Sequence, residues 1–329
     1  MLSALRYRAA VRRSSNTWKT RLTGKPLIVI LGATATGKTE LALDAAQAFG
    51  GEIVGADSRQ IYREMDIGTA KPTPEQRALV PHHLIDLIPP DGDLSLANYQ
   101  KLAYAAIDDI HARGKLPLLV GGTGQYITAV IEGWSPPEVS PNPALRAELE
   151  AFAAEFGWEQ LFARLLALDP DVQAFIDPRN VRRVIRALEV TQATGKPFSA
   201  QRQKHPPPYR IRQYGLTMER ERLYERADRR VDAMIAAGFV DEVRRLLEQG
   251  YNRMLPSMSG LGYRELAAHL LDGIPLSEVI TLTKNATHDF IRRQLTWFRG
   301  HDQGILWQNS ETLNRNALKA EIERWLRES

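Results

Sequence analysis

The sequence predicts an α/β fold, in which a doubly wound parallel sheet carries a helical insertion domain and continues into a helix-rich C-terminal part. The first reason is the motif G-x-x-x-x-G-K-[ST] at residues 32–39, which lies between an apolar run and a helical pattern. The second is that strand-like runs alternate with helical patterns in the first part of the chain, as they do around parallel sheets. The third is a stretch from residue 142 in which leucine and phenylalanine recur only at helical spacing.

The chain enters this fold through a strand, a loop and a helix. Residues 26–31 (PLIVIL) are apolar throughout, as expected for a strand buried on both faces. Residues 39–49 carry apolar side chains at helical spacing, and Gly50 and Gly51 end the pattern. Between them, a glycine-rich phosphate loop (P-loop) and a helix N-terminus would direct backbone N–H groups at one anion. The predicted phosphate-binding residues are Gly32, Ala33, Thr34, Ala35, Thr36, Gly37, Lys38 and Thr39. Among them, Lys38 would contact the terminal phosphates and Thr39 would hold Mg²⁺.

Two further residues with reactive side chains follow predicted strands. Asp57 comes directly after a strand predicted at residues 52–56, and Thr123 lies in the turn GGTG after a strand predicted at residues 116–120. Because ligands bind at the carboxyl ends of strands in doubly wound sheets, both side chains are expected beside the phosphate site. Asp57 is a candidate base or metal ligand, with a helix cap or turn as the alternative. The GGTG turn would let backbone pass close to a ligand, or reflects simple turn chemistry. Another core strand is predicted at residues 83–88.

The middle of the chain is helical and then strongly basic. Residues 179–212 contain nine Lys or Arg against one acid, Glu189. Such a bias indicates a phosphate-rich partner such as a single-stranded RNA loop, and a solvated helix face is the alternative. We therefore predict a basic helical insertion at residues 142–208, within a core formed by residues 26–141 and 209–329.

The remaining elements return to the sheet and then become helical. Residues 211–218 are strand-like, and residues 220–249 form a long helical pattern. A helix-rich stretch at residues 262–299 leads to a last strand at residues 305–308. A terminal helix completes the predicted core.

Composition excludes several kinds of chemistry. The 329-residue chain has no cysteine, which excludes disulfides, thiolate metal sites and cysteine nucleophiles. No apolar stretch approaches the roughly 20 residues that span a bilayer, so we expect a soluble, cytoplasmic protein. The formal net charge is only +4, but residues 1–25 are basic and contain no acid, which predicts a disordered tail. A start assigned too far upstream and an organellar transit peptide are the alternatives for this segment.

With these motifs assembled, the chain resembles the tRNA dimethylallyltransferases, bacterial enzymes that prenylate the adenosine on the 3′ side of certain anticodons. The resemblance covers roughly residues 26–300. It is carried, in the family's order, by GATATGKT (32–39), ADSRQIYREMDIGTAKPT (56–73), PHHLID (81–86), GGTGQY (121–126), RRVIRALEV (182–190), GLGYRE (260–265) and RRQLTWFR (292–299). The chain lacks the cysteine-bearing zinc finger of eukaryotic relatives, which favours a bacterial enzyme with a basic tail.

The resemblance implies transfer of a dimethylallyl group from dimethylallyl diphosphate to N6 of the adenosine next to the anticodon, in tRNAs that read codons beginning with U. It implies that the P-loop, Lys38 and Mg²⁺ hold the diphosphate. It also implies that Asp57 accepts the proton of the adenine amine and that Thr123 hydrogen-bonds near that nitrogen. Arg226 and Arg230 match arginines near the diphosphate. The positions that match tRNA contacts are Asp57, Ser58, Arg59, Gln60, Thr123, Arg146, Asn180, Val181, Arg182, Arg183 and Val184. We expect a monomer whose partners are tRNA and dimethylallyl diphosphate.

Three other functions fit parts of the pattern. A P-loop kinase of a nucleotide or small metabolite would share the sheet, Lys38 and Mg²⁺, but it leaves the basic insertion unexplained. A non-catalytic RNA-binding protein with a nucleotide switch gives Asp57 and Thr123 no required role. An adenylate isopentenyltransferase would use the same donor, but such enzymes lack a comparable insertion. The tRNA transferase accounts for all of these motifs together.

Overall fold

The computed structural model describes residues 25–137 and 139–328. The tail predicted at residues 1–25 therefore lies outside the described residues, apart from Lys25, where the first strand begins. No helix in the described ranges is long and apolar enough to cross a membrane.

The central element is a six-stranded sheet in which every neighbouring pair of strands is parallel. The strands are β1 (Lys25–Gly32), β2 (Gly51–Ala56), β3 (His82–His83), β4 (Leu116–Gly121), β5 (Trp134–Ser135), β6 (Gln203–Lys204), β7 (Tyr209–Thr217) and β8 (Ile305–Asn309). Across the sheet their order is β3-β2-β4-β1-β7-β8, while β5 and β6 form a separate antiparallel pair. The parallel sheet confirms the predicted fold class.

Eleven α-helices lie within the described residues. They are α1 (Lys38–Phe49), α2 (Pro74–Leu79), α3 (Leu96–Ala112), α4 (Gly124–Glu132), α5 (Pro143–Leu168), α6 (Val181–Thr194), α7 (Arg220–Ala236), α8 (Phe239–Glu248), α9 (Tyr263–Asp272), α10 (Leu276–Gly300) and α11 (Arg315–Arg327). Five of these helices follow β7, which confirms the helix-rich C-terminal part.

Strand β1 is covered on both faces, which fixes the position of the loop that follows it. Ile28 and Ile30 share a core cluster with Leu41 of α1 and Trp325 of α11. Val29 points to the opposite face of the sheet and is also fully buried. Because each buried aliphatic side chain stabilises the fold by about 1.5–3 kcal/mol, this short apolar run anchors the centre of the sheet.

The prediction of a core strand at residues 83–88 is wrong beyond its first residue. Pairing with β2 ends at His83, and Asp86 has a left-handed backbone (φ +55°). The backbone N–H groups that follow bond to the loop after β2 instead, as in the bond from Leu87 to the carbonyl of Ile61 (2.7 Å). The apolar run therefore supports a loop of the site and does not extend the sheet.

The C-terminal helices enclose a buried carboxylate. Glu242 on α8 is 2% exposed and accepts hydrogen bonds from the Tyr263 hydroxyl (2.6 Å) and from the backbone N–H groups of Asp66, Ile67 and Gly68. A buried carboxylate is stable only when its oxygens are satisfied in this way. Glu242 thereby ties the loop after β2 to helices α8 and α9.

The chain divides into two compact units. The first contains the six-stranded sheet and takes in the described residues up to Ser95, Tyr99–Ile131 and the described residues from Pro208 onward. The second consists of Leu96–Asn98 and Glu132–Pro207, so it begins before the insertion predicted at residues 142–208. Within it, α5 and α6 pack around a core that includes Leu161 and Leu188, and α5 is broken at Gly157 (φ +85°).

Candidate active site

A cavity opens at the carboxyl ends of β1, β2 and β4. Polar side chains in its lining belong to Lys38, Thr39, Asp57, Gln60 and Arg230. Apolar side chains in its lining belong to Ala227, Val231, Met234, Phe239 and Leu261. A ligand with a charged end and a short apolar part would match such a mixed lining.

The P-loop backbone is shaped to leave N–H groups open at the start of α1. Gly32 has φ +146°, and a Cβ there would lie 2.6 Å from the carbonyl oxygen of Leu216. Gly37 (φ +93°) precedes α1 and provides no side-chain cap, so the N–H groups of the first helical turn face outward. The Thr36 hydroxyl is fully buried and donates to the carbonyl of Ala33 (2.8 Å), which holds the loop closed on itself. Ala35 also has a left-handed backbone (φ +63°).

Lys38 is held in the loop with its charge incompletely compensated. Its Nζ donates to the carbonyl oxygen of Ala33 (2.7 Å). The pKa of Lys38 is lowered from 10.5 to about 8, mainly because burial disfavours the ammonium group and secondly because Arg230 carries a like charge. The carboxylates of Asp57 and Glu40 oppose this shift. An anion bound in the cavity would therefore stabilise the protonated lysine.

Two arginines of α7 face the same loop. Arg226 contacts Glu40 (3.4 Å), and its guanidinium lies 3.8 Å from the position of a Cβ on Gly37. Arg230 is partly buried and lines the cavity, and burial lowers its pKa. Together with Lys38 these groups make one end of the cavity strongly attractive to phosphate.

The loops at the ends of β2 and β4, residues 57–60 and 121–124, are joined by hydrogen bonds. The Thr123 hydroxyl accepts a hydrogen bond from the backbone N–H of Ser58 (2.9 Å). The backbone N–H of Thr123 donates to the carbonyl oxygen of Ala56 (3.1 Å). The Asp57 carboxylate accepts from the N–H of Arg59 (2.8 Å) through Oδ1 and lines the cavity. Asp57 and Thr123 are therefore brought to the same edge of the sheet as the P-loop.

Arg59 and Gln60 stabilise this edge of the sheet through hydrogen bonds. The Gln60 side chain donates to the carbonyl oxygens of Thr69 (3.2 Å) and Ala70 (3.1 Å). The Arg59 guanidinium donates to the carbonyl oxygen of Pro256 (2.6 Å). Both side chains remain partly exposed, so each combines a structural bond with access to a ligand.

Packing against protein accounts for the glycines of the GGTG turn. A Cβ on Gly121 would lie 2.0 Å from the carbonyl oxygen of Ala56, and one on Gly124 would lie 2.1 Å from the ring of Trp297. Neither distance is compatible with a real side chain. The turn is glycine-rich because strand β2 and helix α10 press against it, and no ligand is needed to explain it.

Two residues of the site escape the sequence predictions. Glu242 shapes the loop after β2, and Gln294 of α10 bonds both to the P-loop and to the GGTG turn. Each is a polar residue on the buried face of an amphipathic helix, as Gln294 is between Ile291 and Phe298. A polar side chain within an apolar stripe is the signal that could have identified them.

In the second unit, Arg146 is bound to a buried glutamate. Its Nε and Nη2 donate to the two oxygens of Glu189 (2.9 and 2.8 Å). Burial alone would raise the pKa of Glu189, but hydrogen bonds from Arg146, the backbone of Asn142 and Arg186 lower it to about 2. The Arg146 side chain is 37% exposed, so it retains some surface for a partner.

The other predicted tRNA contacts lie at the start of α6. Asn180 caps the helix by accepting from the backbone N–H of Arg183 (3.2 Å). Arg182 and Arg183 are exposed, whereas Val181 is partly buried and Val184 fully buried in the core of the unit. Within this stretch the two arginines offer charge to a partner, and Val184 offers only its backbone.

The predicted residues thus fall into two groups. P-loop residues, Asp57 and Arg230 line one cavity of the first unit, and Thr123 is hydrogen-bonded to Ser58, the neighbour of Asp57. Arg146 and the start of α6 belong to the second unit.

The chain matches known proteins over most of its length. The family model described as IPP transferase matches residues 60–301. The chain is 61% identical to a tRNA dimethylallyltransferase of Roseiflexus castenholzii over 83% of this chain and 90% of that protein. It is 48% identical to the tRNA dimethylallyltransferase of Thermomicrobium roseum over 92% of each chain.

Solved structures agree with these matches. The tRNA isopentenylpyrophosphate transferase of Bacillus halodurans is 40% identical, with a TM-score of 0.68 over 92% of this chain and 95% of that chain. A eukaryotic dimethylallyltransferase acting on tRNA is 26% identical, with a TM-score of 0.76 over 91% of this chain and 77% of that chain.

Proposed function

The chain belongs to the IPP transferase family, and on this premise we propose that it is a tRNA dimethylallyltransferase. It transfers the dimethylallyl group of dimethylallyl diphosphate to N6 of the adenosine on the 3′ side of the anticodon, in tRNAs that read codons beginning with U. The observation that carries the proposal is a single cavity lined by the P-loop cations and by the Asp57 carboxylate. Its chemistry matches the two reactants of a prenyl transfer.

The donor binds through its diphosphate. The N–H groups at the start of α1, Lys38 and Arg230 surround the anion, and because burial lowers the pKa of each cation, a bound anion stabilises its charged form. The apolar lining, which includes Val231 and Met234, suits the five-carbon group. Binding of the diphosphate therefore compensates the positive charges of Lys38 and Arg230.

The residues present fit Mg²⁺. The Thr39 side chain is partly exposed in the cavity, beside the expected diphosphate. The described residues contain no group of three or more His, Cys, Asp or Glu that could hold a metal. Mg²⁺ is usually bound by one or two protein oxygens together with substrate phosphate and water oxygens, so the Thr39 hydroxyl is the ligand that we propose. When bound, Mg²⁺ would add positive charge at the leaving group.

The transfer replaces one bond to the allylic carbon by another. The bond from this carbon to the diphosphate oxygen breaks, and the diphosphate leaves with the electron pair. The adenine N6 forms the new bond and loses a proton, which Asp57 accepts. The preformed cationic end of the cavity stabilises the charge that develops on the leaving diphosphate. Thr123, whose hydroxyl lies next to Ser58, would hydrogen-bond near the amine.

The acceptor is a base taken out of its stack. Extruding a nucleotide costs a few kcal/mol and less in a loop than in a duplex, so the anticodon loop is a suitable target. Arg182 and Arg183 at the exposed start of α6 offer the phosphate contacts that hold an RNA loop. Because tRNA is the acceptor, we expect the protein to act in the cytoplasm. We also expect it to be a monomer.

The test is transfer of label from radiolabelled dimethylallyl diphosphate to unmodified tRNA whose anticodon loop carries consecutive adenosines. The wild-type protein should label this tRNA, and Lys38→Ala should lower the yield at least 100-fold, because the leaving group loses a charged partner. Lys115→Ala, at an exposed lysine just before β4, is the control and should label the tRNA normally. Phosphorylation by ATP is measured alongside, and ATP turnover without label in tRNA would refute the proposal.

A further inference from the structure

A buried glutamine connects the two halves of the active site. Gln294 lies on α10 and is 6% exposed. It occupies the buried face of the helix, one turn after Ile291 and one turn before Phe298. A primary amide removed from water must find partners for its donors and acceptor, so its position depends on the groups that it meets.

The side chain meets one group on each side. Its Oε1 accepts a hydrogen bond from the backbone N–H of Thr34 (2.8 Å), and its Nε2 donates to the carbonyl oxygen of Gly122 (2.9 Å). The amide orientation follows from these partners, because the reverse orientation would place its NH₂ against an N–H and its oxygen against a carbonyl oxygen.

Each partner belongs to a loop with a different task. Thr34 is part of the P-loop, which holds the donor diphosphate in the proposed function. Gly122 directly precedes Thr123, whose hydroxyl is bonded to the backbone next to Asp57. The two hydrogen bonds of Gln294 therefore connect the diphosphate cradle to the acceptor side of the cavity.

The neighbouring backbone is adapted to this side chain. A Cβ on Gly122 would lie 2.4 Å from Nε2 of Gln294, while its next nearest contact, the carbonyl oxygen of Gly32, would be an ordinary 3.4 Å away. Gly122 does not have a left-handed backbone, so an alanine there is not strained by its own φ. Its lack of a side chain is explained by Gln294 alone.

We propose that Gln294 is a positioning residue, which holds the allylic carbon of the donor in line with the adenine amine by fixing the P-loop against the GGTG turn. The inference rests on the proposed function. A displacement of about 1 Å between reacting groups can lower a rate roughly 100-fold, so loss of the bridge affects the chemical step more than the binding of either substrate.

The test is a double-mutant cycle on the single-turnover rate of transfer, with both substrates saturating. Gln294→Ala and Gly122→Ala should each lower this rate by about 30- to 100-fold, while the Kd values for dimethylallyl diphosphate and tRNA change less than about fivefold. Gly122→Ala acts by displacing the Gln294 amide, so it should have little further effect in the Gln294→Ala protein. The two losses should thus be strongly non-additive.

Gln100→Met is the matched control for loss of a buried glutamine. Gln100 is 8% exposed and donates to the carbonyl of Ala129 (2.7 Å) between helices α3 and α4. The urea midpoint should fall in both Gln100→Met and Gln294→Ala, but only the latter should lose transfer rate. Gln294→Asn, one methylene shorter, keeps the amide and cannot span both loops, so it should not restore the rate.

The outcomes separate the inference from the proposed function. Transfer by the wild-type protein together with a Gln294→Ala rate within about threefold of it would overturn the inference alone. Losses that multiply in the double mutant would overturn it as well. Absence of transfer by the wild-type protein would overturn the proposed function, and the inference with it.

Discussion

Two charged side chains, Glu189 in the second compact unit and Lys38 in the first, are compensated in opposite ways. In the second unit, Glu189 is 1% exposed and receives bonds from Arg146 and Arg186, and its pKa falls to about 2. In the first unit, Lys38 donates to a backbone carbonyl oxygen, that of Ala33, and burial lowers its pKa to about 8. A lowered pKa favours the charged form of an acid and disfavours the charged form of a base. The same direction of shift therefore accompanies a charge that is paired with arginines at Glu189 and, at Lys38, a charge that a bound anion would stabilise.

This comparison predicts the largest effect where a charge takes part in the reaction. Asp57→Asn keeps an oxygen for the N–H of Arg59 but removes the proposed proton acceptor, so the single-turnover transfer rate should fall by about 10³-fold. The Kd for tRNA and the urea midpoint should stay close to those of the wild type. A fall in stability that matches the loss of rate would mean that Asp57 is a structural charge after all.

In the second unit the expected loss is one of stability. Glu189→Gln leaves Arg146 and Arg186 without their carboxylate and should lower the free energy of unfolding by about 3 kcal/mol, measured in urea at pH 7. Because the folded-state pKa is depressed, this contribution is complete above the unfolded value of 4.5 and disappears as the pH falls towards 2. A difference between variant and wild type that stays constant from pH 7 to pH 3 would show that the charge of Glu189 is not its source.

The lowered pKa of Lys38 predicts that the affinity for the donor depends on pH. Lys38 loses its proton near pH 8 in the free protein and is held protonated by a bound diphosphate, so the affinity for dimethylallyl diphosphate should fall about 25-fold from pH 7.5 to 9.5. Lys38→Arg stays charged throughout this range and should show a flatter profile, although it binds more weakly. Calorimetric titrations of both proteins without tRNA measure the effect. Equal slopes would assign the titration to another group.

The smallest effect is expected where charges are paired in water. Asp177 and Arg179 in the second unit form an ion pair (2.9 Å), but their side chains are 51% and 75% exposed. Such pairs contribute little, so Asp177→Asn should leave the urea midpoint unchanged within error. A shift as large as that of Glu189→Gln would remove burial as the explanation for the difference between Glu189 and Asp177.

Local patterns predicted the parts of the fold that local residues determine. The apolar run at residues 26–31 is enough to define β1, and the glycines and Lys38 of the P-loop follow from the motif alone. The run at residues 83–88 also contains four aliphatic residues, yet it pairs with the loop after β2, a contact that no local pattern contains. Pairing of this kind depends on residues that are distant in the sequence, so local sequence patterns cannot predict it.

The site shows the same limit. Asp57 and Thr123 could be placed together because both follow strands of one parallel sheet. Gln294 lies within a motif that carries the family resemblance, but its partners Thr34 and Gly122 are 260 and 172 residues away in the chain. Its role becomes visible only once α10 is packed against both loops.

The most direct test of the central claim is analysis of the nucleosides of unmodified tRNA after a single turnover, together with the diphosphate released. The account predicts N6-(dimethylallyl)adenosine next to the anticodon, with one diphosphate released for each modified nucleoside. It predicts neither product with Asp57→Asn on the same time scale. Diphosphate release without a modified adenosine, or modification elsewhere in the tRNA, would contradict a cavity that joins the P-loop to Asp57 in one transfer reaction.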